Sequence, residues 1–274
     1  MSESQKPYLP PLEQLLMYGD GITIPFEHDY SNLGFTREHI TELIRMATDP
    51  ELNNADFDDV KVFAPVHAWR ILGQLKAEAS VLPLLGMLDN VDDWASEIVD
   101  VIGNIGTEAL APLKAFLSDT SQKDMARADA AEAIQKVAEN YPEHRSEAVQ
   151  MISDQLAKYN EQAPELNAFL IGSLITLNAV EAAPIIENAF RARKVDSWII
   201  GNWGDVEVEL GLKETPAKYD FDRTMPKLSL PGFLGLADPT DMRVQRTKDR
   251  AKAKKAKNKK KMAKASQKKN RRKK

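Results

Sequence analysis

Apolar residues recur along the middle of the chain with a helical beat. Ala68, Ile71, Leu72 and Leu75 lie at i, i+3, i+4 and i+7, which places them on one face of a helix. Ile98, Val101, Ile102 and Ile105 repeat the stripe 30 residues on, and Ala130, Ala133, Ile134 and Val137 after 32 more. Leu170, Ser173, Leu174 and Leu177 follow after a further 40, with one polar interruption. A second set alternates with the first: Val81, Leu84, Leu85 and Leu88; Leu110, Leu113 and Leu117; Val149, Ile152 and Leu156; Ala182, Ile185, Ile186 and Ala189. Short polar or breaking connections, such as Lys76-Ala77-Glu78, Gly106-Thr107, Tyr141-Pro142 and Asn178-Ala179, separate the two sets. Each unit therefore reads as helix, turn, helix. One such pair cannot bury both of its apolar faces, whereas stacked pairs can.

The ends read differently. Residues 36–47 predict one more amphipathic helix, with Thr36 as N-cap and Ile40, Leu43, Ile44 and Ala47 as its apolar face. Pro10 to Met17 suggests a shorter helix before it, and residues 18–34 read as loop. Trp198 and Trp203, flanking Gly201-Asn202, are expected to cover the last helix pair. Residues 213–242 carry Pro216, Pro226, Pro231 and Pro239 and no sustained period, so they read as an irregular linker anchored by side chains such as Phe221, Leu228, Leu230 and Phe233.

Phrase-level likeness sharpens the repeat. Residues 71–88 read ILGQLKAEASVLPLLGML, residues 101–117 VIGNIGTEALAPLKAFL and residues 174–190 LITLNAVEAAPIIENAF. Pro83, Pro112 and Pro184 sit near the start of each second helix, where a missing N–H is tolerated. Gly73 and Gly103 recur near the end of the first helix, and Gly172 lies near the corresponding place. With these motifs, residues 62–190 resemble the HEAT-repeat superfamily, specifically the PBS-lyase HEAT-like type, and the resemblance extends to Leu212. It implies an all-α fold, an α-solenoid of four to five helix pairs. The organisation expected is an N-terminal loop and capping helices over 1–61, the repeats over 62–212, the linker over 213–242 and a disordered tail over 243–274. Some relatives of this type end in a Cys-rich zinc module; this chain has no Cys, and a Lys/Arg tail stands in its place.

Charge divides the chain in two. The whole has 37 basic and 41 acidic residues, a net of −4. Residues 243–274 hold 18 of the bases and one acid, Asp249, so they net +17, and subtraction leaves −21 for residues 1–242. Lys252, Lys254, Lys255, Lys257, Lys259, Lys260, Lys261, Lys264, Lys268, Lys269, Arg271, Arg272, Lys273 and Lys274 are the candidate polyanion contacts. The segment has no aromatic and almost no large apolar residue, so it cannot bury enough surface to fold alone. Its contacts would be to phosphate, independent of base sequence. It could serve RNA or ribosome attachment, another acidic partner, or solubility alone.

The acids of the body are the candidate protein-binding surface. Asp93, Glu97 and Asp100 lie at i, i+4 and i+7, away from Ile98, Val101 and Ile102, with Asp89 and Asp92 just before them. A second group, Asp49, Glu51, Asp56, Asp58 and Asp59, precedes the first clear repeat. Either group is a solvated face with Asp near helix N-termini, or a groove for a basic partner summed over successive repeats.

Little else suggests chemistry. Zero cysteines exclude disulfides, thiol catalysis and Cys-ligated metal sites. The histidines, His28, His39, His67 and His144, form no H-E-x-x-H or H-x-x-H pattern. Glu27-His28-Asp29 reads as loop surface, because adjacent side chains diverge, and His67 as a core or groove residue beside the first stripe. No P-loop, G-x-S-x-G or G-x-G-x-x-G is present. Catalytic residues, metals and cofactors are not expected. Residues 1–25 show no basic stretch followed by an apolar run, and no run of about 18 apolar residues occurs, so a cytoplasmic chain without a membrane span is expected. The function expected is a non-enzymatic interaction scaffold. The alternative, by fold analogy with phycobilisome lyases, is an enzyme or enzyme subunit handling a bilin or its acceptor protein.

Overall fold

The computed structural model describes residues 6–56, 58–89 and 94–214. Among these every regular element is helical: α1 Ile40–Ala47, α2 Pro50–Asn53, α3 Ala64–Gln74, α4 Val81–Leu85, α5 Ala95–Ile105, α6 Leu110–Ser118, α7 Asp124–Asn140, α8 Arg145–Leu156, α9 Pro164–Thr176, α10 Ala183–Arg191, α11 Ser197–Ile200 and α12 Trp203–Glu209. Leu12–Met17 forms a short 3-10 helix before them. Asp92, Asp93, the linker beyond Glu214 and every candidate polyanion contact from Lys252 to Lys274 lie outside the described residues.

The helices pack in two interleaved series. α1 lies against α3, α3 against α5, α5 against α7, α7 against α9, and α11 against α9. In the other series α4 touches α6, α6 touches α8, α8 touches α10, and α10 touches α12. The apolar stripes lie between the series, and nearly every member is buried; Leu75 and Ile185 are half-buried. At roughly 1.5–3 kcal/mol per fully buried Leu, Ile or Val, these stripes dominate the favourable side of folding.

Two sequence signals explain how the helices approach and turn. A Cβ built on Gly103 would stand 2.7 Å from the Cβ of Lys136, so α5 and α7 come closer than a side chain there permits. Gly106 ends α5 with φ 116°, a conformation that favours glycine. Lys76 and Asn178 take φ 49° at matching turns. These turns are stitched to one another. Lys76 Nζ donates to Tyr141 Oη at 2.9 Å, and Tyr141 Oη reaches the Asn104 carbonyl at 3.5 Å. Arg145 donates to the carbonyls of Leu177 and Asn178, both at 2.8 Å, and pairs with Glu181. Arg145 thus sits where α9 leaves unpaired carbonyls.

The acids preceding the first repeat are partly explained by capping. The Asp49 carboxylate accepts the backbone N–H groups of Glu51 and Leu52, and Asp59 accepts that of Lys61. Asp49 is buried and also accepts the Tyr8 hydroxyl at 2.7 Å.

One expectation at the C-terminal end is corrected. Trp203 packs on Phe190 with ring centres 6.1 Å apart, whereas Trp198 is 78% exposed. Asp196 caps α11, and Ile200, two residues after Trp198, takes the side that meets the core. No helix among the described residues is long and apolar enough to cross a membrane.

Candidate functional site on the outer stripe of the long helices

One residue ahead of its apolar stripe, α3 carries a polar one. His67, Arg70 and Gln74 lie at i, i+3 and i+7 and share a face. All three grip the N-terminal segment. His67 Nε2 lies 3.2 Å from the Gly19 carbonyl. Arg70 Nη2 donates to the Gly21 carbonyl at 2.9 Å, and Nη1 to the carbonyls of Ile24 at 2.9 Å and Pro25 at 3.4 Å. Gln74 donates to the His28 carbonyl at 2.6 Å and accepts the Tyr30 N–H at 3.2 Å. Residues 19–30 have almost no secondary structure of their own, so their polar backbone groups need these partners. Backbone carbonyls accept most of these hydrogen bonds, while the buried Tyr30 ring and Phe26 add side-chain contacts to the core.

Behind this grip sits a buried ion pair. Arg70 Nε meets Glu97 Oε1 of α5 at 2.6 Å, with side-chain exposures of 3% and 1%. Glu97 was read from the sequence as part of an acidic surface, and the structure corrects that reading. The i, i+4 spacing with Asp93 ignores the neighbouring helix, and Arg70 draws the carboxylate into the α3–α5 seam.

The neutral tautomer of His67 is fixed. A carbonyl only accepts, so Nε2 carries the hydrogen toward Gly19 and Nδ1 accepts the Tyr30 hydroxyl at 2.7 Å. Burial, with the Arg70 charge nearby, pulls the imidazole down to about 4 from its ordinary 6.5. In the unfolded chain His67 binds its proton near pH 6.5, and in the folded chain only near pH 4. Its contribution is complete above pH 6.5 and is lost as pH falls toward 4, amounting to about 3 kcal/mol. Urea midpoints at pH 7 and pH 4.5 should show this loss, and His67→Gln should flatten it. An unchanged slope in the variant would assign the acid sensitivity to other groups.

The same register continues on the next helices. Adding the repeat offsets of 30 and 32 carries positions 67, 70 and 74 to Glu97, Asp100 and Asn104 on α5, then to Asp129, Glu132 and Lys136 on α7. A further 40 reaches Phe169, Gly172 and Thr176 on α9. Lys136 Nζ lies 3.5 Å from Asp100 and 3.6 Å from Glu139. Asp129 and Glu132 are half-buried and make no hydrogen bond or ion pair among the described residues. Burial, then the charges of Glu132 and Asp89, push the Asp129 carboxyl up to about 7. Burial also raises Glu132.

Of the acids singled out in the sequence, Asp100 therefore joins this stripe and Asp89 lies near it, half-buried and 3.5 Å from Lys123 Nζ. Arg70, Asp129, Glu132 and Lys136 were not singled out. The signal that finds them is the recurrence of polar residues one position before the first three apolar stripes, which lapses at Phe169 and Gly172 on α9.

A separate groove of about 490 Å³ crosses the turns, lined among others by Arg37, Lys76, Glu78, Ile105, Glu108 and Tyr141. Both signs of charge line it, unlike an apolar pocket built for a pigment. Among the described residues no group of three or more His, Asp or Glu side chains could hold a metal ion. His28 of the Glu27-His28-Asp29 triple instead contacts Tyr18 Oη at 2.8 Å through Nε2. Comparison with protein-family models, curated proteins and solved structures found no match for this chain.

Proposed function

We propose that this chain is a cytoplasmic, non-enzymatic binding scaffold. Its hairpins stack as a HEAT-like α-solenoid, its outer polar stripe receives a protein segment, and residues 243–274 attach it to RNA, the ribosome or another polyanion. The observation that carries the reading is the α3 stripe, where His67, Arg70 and Gln74 already hold an extended backbone through its carbonyls. The same register on α7 carries Asp129 and Glu132, carboxylates that make no hydrogen bond or ion pair among the described residues. The separation of charge into −21 and +17 supports the second half of the reading.

The test has two arms. Binding of the full chain to a homopolymer RNA should weaken by about 10³ between 50 and 200 mM salt if some six phosphates are contacted, and removal of residues 243–274 should abolish it. Affinity capture with the full and truncated chains, with and without nuclease, should then return one nuclease-resistant partner common to both. Salt-insensitive RNA binding, or RNA binding retained by the truncated chain, refutes the polyanion assignment. Capture with no nuclease-resistant protein refutes the scaffold assignment.

A further inference from the structure

The two outer stripes differ in one respect. The face of α3 is hydrogen-bonded to residues 19–30, while Asp129 and Glu132, half-buried beside the exposed Met125 on α7, make no hydrogen bond to any such segment among the described residues. We propose that this face of α7 is the docking surface for the chain's own Lys/Arg-rich segment, residues 243–274.

Three observations converge on that occupant. The first is continuity with an established contact. The α3 stripe and its bound segment adjoin α5 through Arg70 and Glu97, and α5 adjoins α7 through Asp100 and Lys136. The second is complementarity. On α3 the helix supplies mainly donors, from His67, Arg70 and Gln74, and the segment mainly carbonyls. On α7 the helix supplies carboxylate acceptors, so its occupant must supply donors. Lysine and arginine offer donors on long apolar stems, and those stems suit the exposed Met125. Residues 243–274 hold 18 such side chains and one acid, facing a body of −21. The third is reach. Residues 215–242 separate the described helices from the segment, and 28 residues extend to roughly 90 Å at full stretch. Neighbouring helices sit roughly 8–10 Å apart, so α7 is within range from α12. A flexible tether of this kind sets an effective concentration on the order of millimolar. Weak multivalent contacts therefore suffice.

The proposal rests on the scaffold reading for its geometry, and on the polyanion reading only for its consequence. Docking and polyanion binding would use the same cations, so each should oppose the other.

A chain without cysteine allows a single thiol to be placed. Ser266→Cys, labelled with a fluorophore in the full-length chain, reports segment mobility through anisotropy. At 50 mM salt anisotropy should be high, and it should fall toward the 500 mM value when Asp129→Asn and Glu132→Gln are combined. Neither carboxylate makes a hydrogen bond or ion pair among the described residues, and Lys136, whose charge acts on Glu132, keeps Asp100 and Glu139 when Glu132 is neutralised. A control carrying Glu143→Gln and Glu161→Gln removes equal charge from exposed sites elsewhere and should leave anisotropy unchanged. Equal anisotropy in all three proteins overturns the proposal, and so does an equal fall in both variants, which indicates diffuse attraction. Anisotropy that decreases on dilution assigns the docking to a second copy and also overturns it. RNA affinity is read separately: its absence would refute the polyanion assignment while leaving the anisotropy outcome to decide docking.

Discussion

Arg70→Met should be among the most destabilising single substitutions in the chain, at about 3–5 kcal/mol. Two losses combine. Glu97 is left as a buried carboxylate without its guanidinium, and the carbonyls of Gly21, Ile24 and Pro25 lose their donor. Against a typical domain stability of about 5–15 kcal/mol, that leaves a marginal fold. Adding Glu97→Leu should recover the part due to the stranded charge but not the part due to the carbonyls. The double variant should therefore remain weaker than the parent, with amide exchange accelerated over residues 19–30. Urea denaturation of the single and double variants, with hydrogen exchange on the double, measures both parts. A loss under 1 kcal/mol for Arg70→Met would mean that the N-terminal segment is held by His67, Gln74 and its apolar contacts without help from Arg70.

Asp129→Asn should act in the opposite direction and stabilise the protein at neutral pH. An aspartate that titrates near 7 when folded and near 3.8 when unfolded holds its proton more tightly in the native state. Its burden on stability is absent below pH 4 and grows as pH rises through 7. Asp129 keeps some contact with water, so the gain from removing its charge is set at about 1–3 kcal/mol, below the full shift. The parent protein carries opposed slopes, one from His67 and others from Asp129 and the raised Glu132. The asparagine variant should lose the Asp129 part, so its stability relative to the parent should rise from pH 4 to pH 7. Thermal melts across that range decide the matter; a lower melting temperature for the variant at pH 8 would contradict the assignment.

The sequence made the helices legible because their cause is local. A 3.6-residue beat such as Ala68, Ile71, Leu72, Leu75 declares its own buried face, and each stripe read that way lies in the core. The turns at Lys76, Gly106, Tyr141 and Asn178 were legible for the same reason. The polar stripe was harder to see. Arg70 and Glu97 are 27 residues apart, and nothing in either neighbourhood says that they meet. Spacing within α5 alone made Glu97 a surface acid, and only the packing of α3 on α5 reverses that. Residues 18–34 do read as loop, yet their docking depends on donors about 45 residues further along. Trp198 fails in the same way: its size predicts burial, but Ile200 holds the inward position.

The stitching of the turns has a mechanical consequence. Lys76, Asn104 and Tyr141 join three successive hairpins along one margin, and Arg145 carries the seam to a fourth. The opposite margin is fastened too, by Lys123 on Asp89 and by Asn167 on the carbonyls of Tyr159 and Lys194. Each hairpin is thus tied to a neighbour at both ends, so cutting one seam, as Arg145→Met would, should loosen that margin while the other keeps the hairpins in register.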